Sequence, residues 1–286
     1  SCLQGNGSHP AALLQFDTSV PIAEEYKGRK MKMKSLLQAL CFTTLIVFTL
    51  ILIGCDEDDF VGGEDEIVYL AVGASDALGV GAFPDEDDGY VFIIEDELDE
   101  AYEEDVDLCV LCLVAIPAAE LDQIEDLLDE VLDAGVEPDI VTILVGSNDI
   151  IDGVDPEEFE SQLRDAIDRI LDASPNAFIV MGNVPDLTQL PRFDEGEDSD
   201  VTLANIMTFN DIIDEVAADF GILDKVVDLF SEMITADFVA DDGFHPSDEG
   251  HERIAELFLD VILAEFDPSM ASISTPLTSP MPSPLP

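Results

Sequence analysis

The sequence predicts an α/β fold: a three-layer α/β/α sandwich on a mainly parallel sheet of about five strands. Three observations carry this. Short, almost continuously apolar runs alternate with longer stretches whose apolar residues recur at helical spacing. Several of those runs end on glycine. Hydrophobic residues make up 47% of the 286, yet aromatics are 7% and Trp is absent, so the core is aliphatic. Strands apolar on both faces need a helical layer on each side.

Taken in order, residues 67–72 form the first apolar run, ending at Gly73, and residues 107–114 the second. A helix follows, with Leu121, Ile124, Leu127, Leu128, Val131 and Leu132 on one stripe, and Gly135 and Pro138 end it. Residues 139–145 make the third strand, ending at Gly146. Asp155, Pro156 and Glu158 stand at the N-cap, N1 and N3 positions of the next helix, whose buried face is Phe159, Leu163, Ile167 and Ile170. Residues 177–181 form the fourth strand, before Gly182, and residues 201–220 a helix closed by Gly221. Residues 225–229 form a short fifth strand and 247–265 the last helix. There is no internal repeat.

Around this domain, 67–266, the chain changes character. Residues 1–30 show no periodic pattern and are expected to be upstream or disordered sequence, outside the fold. Residues 31–54 carry Lys32 and Lys34, then an apolar run from Leu36 to Ile53, then Gly54 and Cys55, before the acidic linker 55–66. This segment resembles a bacterial lipoprotein signal peptide with its lipobox. The resemblance implies cleavage before Cys55, lipidation of that sulfur and a domain outside the cytoplasmic membrane, in the cell envelope. An uncleaved transmembrane anchor is the other reading, because the run is about long enough to span a bilayer. Residues 267–286 are rich in Pro, Ser and Thr and are expected to be disordered. Cys109 and Cys112 form a CxxC pair, but within a strand such a pair points to opposite faces, so both are expected in the core.

Charge is the extreme property: 65 Asp and Glu against 10 Lys and Arg, for a net −55. Five of those bases (Lys27, Arg29, Lys30, Lys32 and Lys34) precede residue 35. Phosphate binding needs clustered Lys and Arg, so nucleic acid is excluded as a partner. The acids lie on the outer faces of periodic segments, as in residues 120–127, and do not alternate as the ligands of a Ca²⁺ loop do. They read as a solvated surface suited to a salty, halophilic setting.

Histidine is scarce: His9, His245 and His251 are the three. His245 and His251 are the side chains of the folded part suited to proton transfer near neutral pH. Asp242 stands three residues before His245, in Asp242-Gly243-Phe244-His245-Pro246. Ser75 follows the first strand in Gly73-Ala74-Ser75-Asp76, and Asn148 follows the third in Gly146-Ser147-Asn148-Asp149. In parallel sheets sites gather at the C-terminal strand ends, where these groups fall.

In this order and at these strand ends the motifs resemble those of the SGNH hydrolases, the GDSL esterase/lipase family, over residues 67–262. The segment Gly182-Asn183-Val184-Pro185-Asp186-Leu187 resembles the family's loop after the fourth strand. The resemblance implies a flavodoxin-like sheet and acyl transfer to a serine: Ser75 as nucleophile, His245 as base and Asp242 as its orienting acid. It implies an oxyanion hole from Asn148, the Ser75 N–H and the Ala118 N–H. No cofactor or metal is implied, and the substrate is a small-molecule or lipid ester. The family's range covers lipids, short acyl esters, acetylated sugars and thioesters, and neither substrate nor oligomeric state is legible here. Two departures stand out. Ala74 replaces the carboxylate that normally precedes the serine, with Asp76 after it instead. Ala118 replaces a glycine, and a backbone donor survives that change where φ is negative. His251 is the rival base, expected to pack or face solvent. A non-catalytic surface binding protein on the same fold is the alternative function. A nucleotide binder fits poorly, because no G-x-G-x-x-G or P-loop Lys appears.

Overall fold

The computed structural model describes residues 67–82, 89–102, 106–107, 112–193, 199–233 and 236–266. The segment expected to be a signal peptide, with Cys55, the tail and Cys109 lie outside these residues. Strand β1 is Ile67–Gly73, helix α1 Tyr90–Tyr102, β2 Val106–Asp107, β3 Leu113–Ala115, α2 Leu121–Asp133 and β4 Ile140–Ile143. They are followed by α3 Ser147–Asp152, α4 Pro156–Ala173, β5 Phe178–Gly182, α5 Leu203–Asp219, β6 Val226–Val227, α6 Leu229–Glu232 and α7 Asp248–Glu265.

Every strand pairing is parallel. The order is β2, β1, β4, β5, β6, with β3 also on β1. The predicted second strand is thus met as two short pieces against one partner: Val106 pairs with Ile67 and Leu113 with Ala71. Cys112 is buried at its end, as expected. The expected three-layer sandwich is present. One face of the sheet, with Tyr69, Ala71, Ile140, Leu144 and Val180, packs against Ile94 and Leu98 of α1 and Ile254, Phe258 and Ile262 of α7. The buried hydroxyl of Tyr69 is hydrogen-bonded to Thr142 Oγ1 on that face at 2.8 Å. Across the sheet, α2 contacts β1 and β3, and α4 lies between α2 and α5.

Side-chain caps set several helix starts. Asp155, Thr202 and Ser247 accept the N–H groups of Glu157, Asn205 and Gly250. Other elements besides the second strand differ from the sequence reading. Helix α1 was not anticipated, although it buries Tyr90, Val91, Ile94 and Leu98 on one stripe. The fifth strand is only Val226–Val227, because Asp228 accepts the Ser231 N–H at 3.1 Å and starts α6 at Leu229.

The chain leaves β1 for β2 and β3 on one side, then returns to β4 on the other. That reversal opens a crevice beyond the carboxyl ends of β1 and β4. Ser75 and Asn148 stand just past those two ends.

Candidate active site

Beyond Gly73 the backbone turns sharply. A Cβ on Gly73 would lie 2.7 Å from Ala77 Cβ and 3.2 Å from Leu144 O, so only glycine lets the turn fold back on the sheet. The turn is closed by hydrogen bonds from Gly79 N–H to Asp76 O (3.1 Å) and Val80 N–H to Ser75 O (3.0 Å). It presents Ser75, nearly buried, to the crevice.

The group facing Ser75 comes from much later in the sequence. His245 Nε2 lies 2.9 Å from Ser75 Oγ, across a separation of 170 residues. Its Nδ1 is 2.5 Å from Asp242 Oδ2. Asp242 Oδ1 accepts the N–H groups of Phe244 (2.9 Å) and His245 (3.0 Å), which bends the loop around the carboxylate. Burial alone would raise the Asp242 pKa, but the His245 side chain and those N–H donors pull it below the ordinary value. The carboxylate therefore stays charged beside the imidazole. Gly243, at φ +74°, lies against Pro191 and the Arg192 N–H, which donates to Gly243 O at 3.0 Å. The Arg192 guanidinium sits 4.6 Å over the Phe244 ring, and Phe244 meets His245 edge-on at 4.9 Å.

The third strand-end loop supplies polar donors. Gly146 takes φ +103°, a left-handed turn open to glycine, and starts α3. Asn148 and Asp149 then point inward and grip the segment before α2. Asn148 Nδ2 donates to Ala119 O at 3.0 Å, and Asp149 Oδ1 accepts the Leu121 N–H at 3.0 Å. The Asn148 amide carries two hydrogens, so one remains for a ligand oxygen in the crevice. Asp149 was not singled out from the sequence, although a carboxylate at a helix N-terminus is a readable pattern. Ala118 departs from the condition set for it: its φ is +57° where a negative value was required. Its N–H sits at the turn Ile116–Ala119, closed by Ala119 N–H to Ile116 O at 3.2 Å, and the crevice wall there is formed by Ala119.

His251 is not beside Ser75. It is fully buried, its Nδ1 accepting the Tyr90 N–H and its Nε2 donating to Val80 O, each at 3.2 Å. Asp76 lines the crevice with its carboxyl pKa raised by burial, against backbone N–H groups and His245, which lower it.

The rest of the wall is apolar: Ile124, Leu144, Val145, Leu187, Leu190 and Leu229 among others. In so acidic a chain, Asp76 is the one carboxyl on it among the described residues. A hydroxyl, an imidazole, a carboxylate and a spare amide N–H converge on an apolar cleft, an arrangement that can carry acyl transfer.

A family model described as GDSL-like lipase/acylhydrolase matches residues 70–253. Among solved structures, TesA is similar at 21% identity, covering 68% of this chain and 97% of its own, with a TM-score of 0.53. The family 3 carbohydrate esterase of Clostridium thermocellum matches at 18% identity over 70% of this chain and 96% of its own, TM-score 0.54. The psychrotrophic esterase EstA of Pseudoalteromonas sp., in a structure inhibited by monoethylphosphonate, matches at 18% identity over 70% and 97%, TM-score 0.51. No curated protein matches.

Proposed function

The chain belongs to the GDSL-like lipase/acylhydrolase family, and on that premise we propose that it is a serine-dependent ester hydrolase working through an acyl-enzyme on Ser75. The observation that carries this reading is the unbroken relay from Ser75 Oγ to His245 Nε2 (2.9 Å) and from His245 Nδ1 to Asp242 Oδ2 (2.5 Å).

His245 takes the hydroxyl proton as Ser75 Oγ attacks the ester carbonyl. Asp242 holds the Nδ1–H tautomer and stabilises the imidazolium that forms. The spare N–H of Asn148 and the backbone N–H of Ser75 meet the negative oxygen of the tetrahedral intermediate. His245 returns the proton to the departing alkoxide, leaving the acyl group on Ser75. A water then gives up a proton to His245, attacks the acyl carbon and releases the acid, and the proton returns to Ser75. The apolar wall supports a substrate whose acyl part is uncharged and aliphatic.

The same reading ties the domain to the cell envelope through lipid on Cys55. Its support is the positive start, apolar run and Gly54-Cys55 junction of the sequence. Among the described residues no helix is long and apolar enough to cross a membrane. Cys55→Ser is expected to shift the protein from the membrane to the soluble fraction, and unchanged fractionation would sink the anchor.

The catalytic reading is tested with p-nitrophenyl esters of graded chain length, assayed in molar salt, alongside a fluorophosphonate probe. Wild type is expected to hydrolyse the esters and take the label. Ser75→Ala is expected to lose the label and at least about 10⁴-fold in kcat. Ester hydrolysis retained by Ser75→Ala overturns the assignment.

A further inference from the structure

Among the chemically capable groups the catalytic relay leaves unused is His251, whose side chain is completely buried between α7, the start of α1 and the turn that carries Ser75. We infer that His251 is a positioning residue for the hydrolysis, its Nε2–H holding the Val80 carbonyl so that the turn presents Ser75 Oγ to His245. This rests on the ester-hydrolase reading above.

The tautomer follows from the partners. The Tyr90 N–H points at Nδ1 from 3.2 Å, so Nδ1 must be the bare acceptor nitrogen. The hydrogen is then on Nε2, which donates to Val80 O at 3.2 Å. Both nitrogens are engaged, and a second proton would set an N–H against an N–H. Burial also lowers the pKa of this imidazole, which keeps it neutral. His251 therefore has no free nitrogen for a reacting proton, and its engagement is with backbone alone.

The Val80 carbonyl is one step from the nucleophile. The same residue's N–H donates to Ser75 O at 3.0 Å, closing the turn that aims the hydroxyl. The next residue, Gly81, takes φ +108° and runs hard against the base loop: a Cβ there would be 2.1 Å from Pro246 O and 3.0 Å from His245 Cβ. The nucleophile loop is thus held between two histidines six positions apart, with His245 across the reacting atoms and His251 behind. The brace itself is fixed. The His251 N–H donates to Ser247 O at 2.8 Å in the first turn of α7, and its ring stacks on Tyr90 at 6.3 Å and 11°. One helix start thereby sets the spacing between the base and the turn it must serve. A filler role needs only a ring of this size, whereas the brace needs a donor at the Nε2 position. An error of about 1 Å at a nucleophile can cost roughly 10²-fold in rate.

The experiment separates donor, acceptor and ring. His251→Gln keeps an N–H near the Nε2 position, His251→Asn keeps an acceptor near the Nδ1 position, and His251→Phe keeps only the stack. kcat and KM are measured on one p-nitrophenyl ester, with Ser75→Ala as baseline, and Tm is measured in the same salt. We expect His251→Phe and His251→Asn to lose about 10- to 100-fold in kcat with KM within about twofold. His251→Gln should recover most of kcat while its Tm falls as far as that of His251→Asn. If His251→Phe does not fold, the Gln and Asn variants decide. Full kcat in His251→Phe, or equal kcat in the Gln and Asn variants, overturns the brace. Wild type no faster than Ser75→Ala defeats the hydrolase reading itself, and the brace with it.

Discussion

Two carboxyls on this molecule make an instructive pair. Glu125 lies on α2 beside Asp122, Asp126 and Asp129, with Asp165 across on α4. Burial, then those four neighbours, pushes its pKa up to about 7. Asp242 is the more exposed of the two, and its pKa falls below the usual value, because His245 and two N–H groups donate to it against the effect of burial. In a chain with 65 acids, carboxylates are common; Asp228 too is held below the usual value by Asn183 and Ser231, and what sets Asp242 apart is that its donor is the imidazole facing Ser75. A few acids elsewhere pair with Arg164, Arg169, Lys225 or Arg253, but ten bases cannot neutralise 65 acids, and the surplus repel one another and depend on water and salt.

Breaking the donor side of this contrast should give the largest effects. His245→Ala removes the base and is expected to cost about 10⁴-fold in kcat on a p-nitrophenyl ester. A loss of similar size in His251→Ala but not in His245→Ala would reverse their assignments. Asn148→Ala removes one oxyanion donor and should cost roughly 10²–10³ in kcat with little change in KM; wild-type kcat would dismiss that role. The repulsive side is sharpened by salt: Tm is expected to rise between about 0.1 M and 1 M NaCl, as the screening length falls from about 10 Å to 3 Å. A flat or falling Tm contradicts the repelling shell.

Glu125 supplies a finer test. Folded, it holds its proton up to about pH 7; unfolded, it releases it near the ordinary value of 4.5. Between those values the folded state binds more protons, so stability is lost as pH rises through that window. Glu125→Gln should raise Tm at pH 8 and match wild type near pH 4, and an equal difference at both pH values would refute the cause. Because the group is partly exposed, the gain should be only about a degree or two. Smallest is Ala118→Gly, which relieves a left-handed alanine. It should gain under about 1 kcal/mol after the entropy glycine adds to the unfolded chain, and a loss of Tm would argue that the alanine side chain has a packing role.

What the sequence showed and what it hid divide along physical lines. Sheet and strand ends were legible because apolar runs are local signals, whereas the approach of Ser75, His245 and Asn148 was implied by the resemblance of their short motifs to those of the GDSL family. Helix α1 was overlooked although Tyr90, Ile94 and Leu98 already mark its stripe. The role of Asp149 was hidden because its partner, the Leu121 N–H, lies 28 residues away. The φ of Ala118 was equally hidden. Pro117 before it does suit a tight turn, but only the tertiary path fixes the sign of the angle that follows. His251 was read as packing or solvent-facing, and sequence alone cannot show that both its nitrogens meet backbone groups from two other segments.

The 170 positions between hydroxyl and imidazole carry a consequence for how the molecule comes into being. Ser75 leaves the ribosome 170 residues before His245, so a growing or truncated chain that stops before Asp242 holds the serine without the imidazole and carboxylate that face it. On the hydrolase reading, Ser75 is activated only once the segment carrying Asp242 and His245 has docked beside the end of β1, so arming waits on folding across the domain.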